Sequence, residues 1–287
     1  MKTKIAAALT LLSVVSVRAD IANYDATIAS QSPLEQFNFA NSLSATANND
    51  GGPGAFTAGA NTAYTTDLSG NANGALSVTA NAASGGYTLA DNNFISGQGT
   101  VNSVGTLSFL VNISTVNSGT EYFLSVGGDI TGDANAFALA VSGGIPELKI
   151  GNHSADLLPA LSANEWYYIG VTWDFNGTAS DSATYYLGEL GGTLSSTTVT
   201  GYATTADVGG ISTETGSSGD IVVGNRQANN SGMEGDYGTL ATWSSQLTST
   251  QITNQFDALT TTVPEPSTTA CVGFGGLLLG LILRKKA

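Results

Sequence analysis

The chain has 287 residues, with 22 acidic against 8 basic side chains, a formal net charge of −14 and a single cysteine. Six of the basic residues, Lys2, Lys4, Arg18, Arg284, Lys285 and Lys286, lie at the two ends, so the long middle keeps only Lys149 and Arg226. That balance excludes nucleic acid as a partner, since phosphate contacts need Lys and Arg, and it repels an anionic polysaccharide unless a divalent cation bridges the two.

Lys2 and Lys4 precede the apolar stretch from Ile5 to Val17, and Val17 and Ala19 place small residues at the −3 and −1 positions of a cleavage site. Residues 1–19 therefore read as a secretory signal peptide. Residues 20–262 follow as one body, long enough for a single large β domain with its own core. It contains no cysteine, so its stability comes from packing rather than disulfides even in an oxidising compartment.

Leu107, Phe109, Val111 and Ile113 alternate with polar residues over Gly105 to Ser114, broken only by Leu110, which is the period of a strand. Tyr122, Leu124 and Val126 repeat the pattern, as do Phe137, Leu139 and Val141. Between these two runs, Asp129, Asp133 and Asn135 set three oxygen side chains around Gly132, which is the chemistry of a Ca2+ loop, although the full EF-hand spacing is absent. Asp and Asn are also ordinary turn residues. His153, the only histidine, follows Gly151 and Asn152 and reads as a loop residue; without a cysteine in the body it cannot join a Cys/His zinc site.

Tyr167, Ile169, Val171 and Trp173 mark another strand, with Trp166 and Tyr168 on its opposite face. Those two aromatics are candidates for stacking against a sugar, or else a second core face. Shorter strands follow at Tyr185 to Leu187 and Ile221 to Val223. Glu234 and Asp236 are two carboxylates two residues apart, and they form a second, weaker cation candidate. Thr248 and Gln251 make a capping box, after which Ile252, Phe256 and Leu259 recur at helical spacing. Turn signals this frequent predict an all-β, two-sheet antiparallel jelly-roll sandwich with one short C-terminal helix. Trp173 and Trp243 belong to its buried part.

The last segment, residues 263–287, differs from the body. Pro264, Glu265 and Pro266 are followed by an uncharged run over residues 268–283 and a basic end at 284–286. As a helix the run spans about 24 Å against about 30 Å of bilayer hydrocarbon, which is short for a transmembrane helix. The basic end orients the body outward. Cys271 lies inside this run as a small apolar residue.

Val263 to Ser267, the Gly-rich apolar span and the basic end together resemble a PEP-CTERM sorting tail. The resemblance implies a Gram-negative-type bacterium that makes exopolysaccharide. It also implies exosortase as the partner that recognises Pro264, Glu265 and Pro266 and processes the tail. The protein would then be anchored in the inner membrane first and released or attached at the cell surface or in the extracellular matrix afterwards.

The body resembles laminin G-like, concanavalin A-like jelly-roll domains of bacterial surface proteins. Glu165 to Asp174 is similar to the family's "W-x-h-h-x-V-T-x-D" strand. Tyr185 to Leu190 sits where the family has "Y-h-D-G", with Gly188 in place of the usual Asp or Asn. Ile221 to Asn225 is similar to "h-x-h-G", and Trp243, Leu247, Thr248 and Ile252 to the closing "W-x-x-x-L-[ST]-x-x-x-I". Tyr24 to Phe39 and the strands from Leu107 to Val126 fit the opening more loosely. Such motifs specify a fold and not an activity.

The resemblance implies a domain that binds extracellular polysaccharide, a surface glycan or another protein, often with calcium. The alternative is a glycoside hydrolase or polysaccharide lyase. Hydrolases on this fold can carry an E-x-D-x-x-E pattern that holds two carboxylates about 5 Å apart. Here Glu234 and Asp236 are followed by Thr239 at the third position, so no catalytic residue is expected.

Overall fold

The computed structural model describes residues 20–49, 54–79, 85–89, 104–126, 137–150, 153–156, 159–174, 182–200, 220–226 and 231–260, all within one unit, Ala19–Thr261. The elements in chain order are α1 (Ile21–Ser30), β1 (Glu35–Phe37), β2 (Ala47–Asn48), β3 (Thr57–Ala58), β4 (Thr62–Thr65), β5 (Ala75–Val78), β6 (Tyr87–Leu89), β7 (Val104–Ile113), β8 (Thr120–Val126), β9 (Phe137–Ser142), β10 (Ile145–Ile150), β11 (His153–Asp156), β12 (Trp166–Asp174), β13 (Ser182–Glu189), β14 (Leu194–Thr200), β15 (Ile221–Val223), β16 (Gly235–Trp243) and α2 (Ser249–Thr260).

Two antiparallel sheets result. One runs β14-β13-β12-β7-β16-β1-β2, with β5 also paired to β16 and β4 to β5; the other runs β11-β10-β9-β8-β15-β6-β3. Alternation explains the layering. The inward residues of both sheets, among them Leu107, Phe109, Val111, Ile113, Leu124, Leu139, Ile169, Trp173 and Tyr237, form one cluster between the sheets. Each such side chain contributes about 1.5–3 kcal/mol by leaving water. Trp173 is 1% exposed and lies over Gly105, its cross-strand partner, where any Cβ would run into the indole.

β16 is the hinge of the first sheet. Its later residues, Leu240 to Thr242, pair with β1, and its earlier ones, Gly235 to Tyr237, pair with β5. The register with β7 shifts between Tyr237 and Leu240, a bulge at the point where the partner changes.

The second core lies outside the first sheet, under a helical layer. Leu110, Tyr168, Tyr186, Ala241 and Trp243 on the sheet meet Tyr24 and Ile28 of α1 and Ile252, Phe256 and Leu259 of α2. This explains Leu110, the apolar residue that breaks the polar face of its strand. The capping box forms as expected: Thr248 N–H donates to Gln251 Oε1 at 2.9 Å and Gln251 N–H to Thr248 Oγ1 at 3.2 Å.

Among the described residues of the body there are two helices where one was expected. Residues 21–30 are helical because Asp20 caps them, its carboxylate accepting from Asn23 N–H at 3.0 Å, and because Tyr24 and Ile28, four apart, share the buried face. The two helices are joined by a glutamine relay. Tyr168 Oη donates to Gln255 Oε1 (2.8 Å), Gln255 Nε2 to Gln31 Oε1 (2.6 Å), and Gln31 Nε2 to the Gln251 carbonyl (3.1 Å).

Two local expectations also change. Tyr122 does not share a face with Leu124: a register shift between them turns Phe123 into the main core, and Tyr122 packs outside with Ala138 and Ala140. His153 is not in a loop but opens β11, paired antiparallel to Ile150 of β10. Among the described residues no helix is long and apolar enough to cross a membrane. Residues 1–19, Pro264, Glu265 and Pro266, and the run 268–283 lie outside the described residues, as do Asp129, Asp133 and Asn135.

Candidate functional site

The outer face of the first sheet carries polar groups wherever the helical layer does not reach. The cross-strand register puts four of them in a line. Trp166 of β12 is opposite Asn112 of β7, Asn112 is opposite Asp236 of β16, and Asp236 is opposite Ser77 of β5. Directly opposed residues share a face, with Cβ atoms about 4.5–5.5 Å apart. Their chain neighbours Tyr167, Val111, Tyr237 and Leu76 all point into the main core, so the four point outward. Each is half-buried. Four strands at about 4.8 Å spacing make a row about 14 Å long.

One end of the row is aromatic. Trp166 packs against the edge of the second core, beside Leu190 and Leu194. The other end is polar: the Asp236 carboxyl accepts a hydrogen bond from Ser77. Burial raises the carboxyl above its ordinary range, and the Ser77 bond opposes part of that rise. Glu234, two residues earlier, comes before the strand, and its carbonyl accepts from Ser114 N–H at 3.1 Å.

Of the aromatics singled out in the sequence, Trp166 belongs to this row. Tyr168 does not: it is 1% exposed, beneath Tyr24 and Phe256, as a second core face. Thr239, at the third position of the carboxylate pattern, is buried beneath α1, its hydroxyl donating to Asp25 Oδ1 at 2.6 Å. Burial pushes the Asp25 carboxyl up to about 6, with Asp67 adding to the rise and the Thr239 bond opposing it. Among the described residues no group of three or more His, Cys, Asp or Glu side chains is placed to hold a metal.

Two open grooves flank the helical layer. The larger, about 810 Å³, lies between α1 and the β1–β2 edge and is lined by Asp25, Ser32, Gln36, Asn38 and Asn49 among others, with no aromatic side chain. The smaller, about 400 Å³, lies between α2 and β14 over Tyr186, Leu194 and Phe256. Its two rings are only 8% and 4% exposed, which leaves little face for stacking. The row is therefore the place where a half-exposed indole meets an amide, a carboxyl and a hydroxyl. Asn112 and Ser77 give no signal in the sequence, because only the pairing of strands distant in the chain brings them beside Trp166 and Asp236.

No protein-family model matches the sequence, and no curated protein does. Solved structures match the fold. The binding domain of botulinum neurotoxin serotype G superposes with a TM-score of 0.54 at 12% identity, over 78% of this chain and 50% of that one. The serotype D ligand binding domain in complex with N-acetylneuraminic acid gives a TM-score of 0.53 at 16% identity, over 80% and 52%. The serotype D/C VPI 5993 binding domain gives 0.54 at 14%, over 80% and 52%. The likeness is one of fold. This chain spans about half the length of each of those domains.

Proposed function

We propose that this chain is an exported, exosortase-sorted protein of the cell surface or extracellular matrix, and that its laminin G-like jelly roll binds a glycan without hydrolysing it. The observation that carries the binding half is the Trp166–Asn112–Asp236–Ser77 row. An indole offers an apolar face to the C–H side of a sugar ring, and the amide, carboxyl and hydroxyl meet its hydroxyls. The neurotoxin domain solved with N-acetylneuraminic acid supports the reading, since it is a sandwich of similar fold with a sugar bound. A glycan array on the purified chain tests it: binding that Trp166→Ala abolishes supports the proposal, and a blank array refutes it.

Non-catalysis rests on Thr239. A hydrolase needs an acid and a base or nucleophile held across the bond, and the third position of the pattern carries a hydroxyl already bound to Asp25. The enzyme reading is favoured by Asp236 in the same row and Glu234 two residues before it. Turnover of β-glucan, alginate, agar or carrageenan that disappears in Glu234→Gln or Asp236→Asn would establish it.

The export half rests on the signal segment and the sorting tail. Replacing Pro264, Glu265 and Pro266 with alanine is expected to leave uncut protein in the inner membrane. Arrival of the variant in the same compartment as the wild type contradicts the sorting reading.

A further inference from the structure

We infer that the ligand of the Trp166–Asn112–Asp236–Ser77 row is a neutral saccharide chain, and that acidic sugars are refused there. The inference rests on the glycan-binding reading and adds the class of glycan.

The first ground is the charge on the row. Its one ionisable member is Asp236, and Glu234 precedes it by two residues. A carboxylate only accepts hydrogen bonds, so it suits the hydroxyl donors of a neutral sugar and repels the carboxylate of an acidic one. The other members, Trp166, Asn112 and Ser77, are uncharged, so the row itself presents no positive counter-charge.

The second ground is where the cations are. Between residues 20 and 262 only Lys149 and Arg226 carry positive charge. Lys149 belongs to a strand of the other sheet, and Arg226 follows one. Lys149 lies on the outer face of β10, opposite in direction to the buried Leu148, and its Nζ is 2.8 Å from Glu147. Arg226 follows β15, its guanidinium 5.8 Å from the centre of the Tyr122 ring. Sheets in a sandwich pack about 10 Å apart, and surface charges are screened over about 8 Å at physiological salt. Lys149 is on the far side of the sandwich from the row, and Arg226, set over the Tyr122 ring, is not one of the row's members.

The third ground is shape. The row crosses four strands on the outer sheet face, and at its Trp166 end it meets the second core that lies under the helical layer. An open shelf about 14 Å long fits a stretch of chain better than a single enclosed ring.

The test is calorimetric titration of the full chain, held in a detergent without sugar groups, at low ionic strength. The ligands are neutral oligosaccharides of the β-glucan and xylan type, sialyllactose and oligouronates, each with EDTA and with added calcium. Neutral oligosaccharides are expected to bind, with acidic ones at least about a hundredfold weaker. Trp166→Ala is expected to weaken neutral binding at least about tenfold. Asp236→Asn, which keeps the shape, guards against a folding artefact and is expected to weaken it about threefold or more. Acidic sugars bound as tightly as neutral ones, with or without calcium, overturn the inference and leave the glycan-binding reading standing. Neutral binding indifferent to both substitutions overturns the row as the site. Binding to no sugar removes the glycan reading itself, and the inference with it.

Discussion

Asp25 shows how one side chain can set a pH dependence. Its carboxyl faces Thr239 across the α1–sheet contact and is pushed from 3.8 to about 6 by burial. A carboxyl whose folded pKa lies above its unfolded value adds stability below pH ~4 and loses it as the pH rises through ~6. A shift of about two units corresponds to roughly 1–3 kcal/mol. Asp25→Asn, which can still accept from Thr239, is therefore expected to raise the unfolding midpoint at pH 7.5. It should also flatten the wild-type gain between pH 7 and pH 4; an unchanged pH profile contradicts this account. Gly188 makes a second case. The resemblance put it where the family has Asp or Asn, in a polar turn, but here it lies in β13, and a Cβ on it would strike the Phe256 ring of α2. Gly188→Ala is expected to cost about 1–3 kcal/mol by lifting that helix, and Phe256→Leu in the same chain should restore part of the loss. Chemical denaturation of the three variants checks both statements. The burial of Trp173 and Trp243, by contrast, was expected, of Trp173 from strand alternation and of Trp243 from the closing motif of the resemblance: they are 1% and 2% exposed.

At the scale of elements, local signals were readable and long-range ones were not. The α2 start needed only Thr248 and Gln251, three residues apart, and both bonds of the box are present. Thr248→Ala is expected to cost about 1 kcal/mol, measured as a shift in the denaturation midpoint. α1 escaped because only Tyr24 and Ile28 of its ten residues are buried, too few for a helical period to stand out. The bulges escaped for a different reason. At Tyr122 the composition is that of a regular strand, and the slip that turns Phe123 inward is fixed by the partner β9. The same holds for the candidate site. Trp166 and Asp236 were both noticed in the sequence, but their alignment through Asn112 is a property of sheet order. β7 lies between β12 and β16 although the three are far apart in the chain.

For the whole molecule, calcium binding is measured in solution. Calcium bound by Asp129, Asp133 and Asn135 would raise the unfolding midpoint by mass action; no shift at millimolar calcium removes that expectation. The glutamine relay has a mechanical consequence. α1 and α2 run side by side in opposite directions, with Asn23 Nδ2 near the Ala258 carbonyl at 3.4 Å and Gln31 near Gln251. The first and last described elements therefore leave the domain from neighbouring points. A pull applied at Thr260 loads α2 by peeling, one turn at a time, against a single stripe made by Leu259, Phe256 and Ile252. β16, next in line, is hydrogen-bonded along both edges and must be sheared as a block. The helix should act as a fuse: a force trace drawn from the C-terminal side should show a small early release, with the sandwich yielding only later and at higher load.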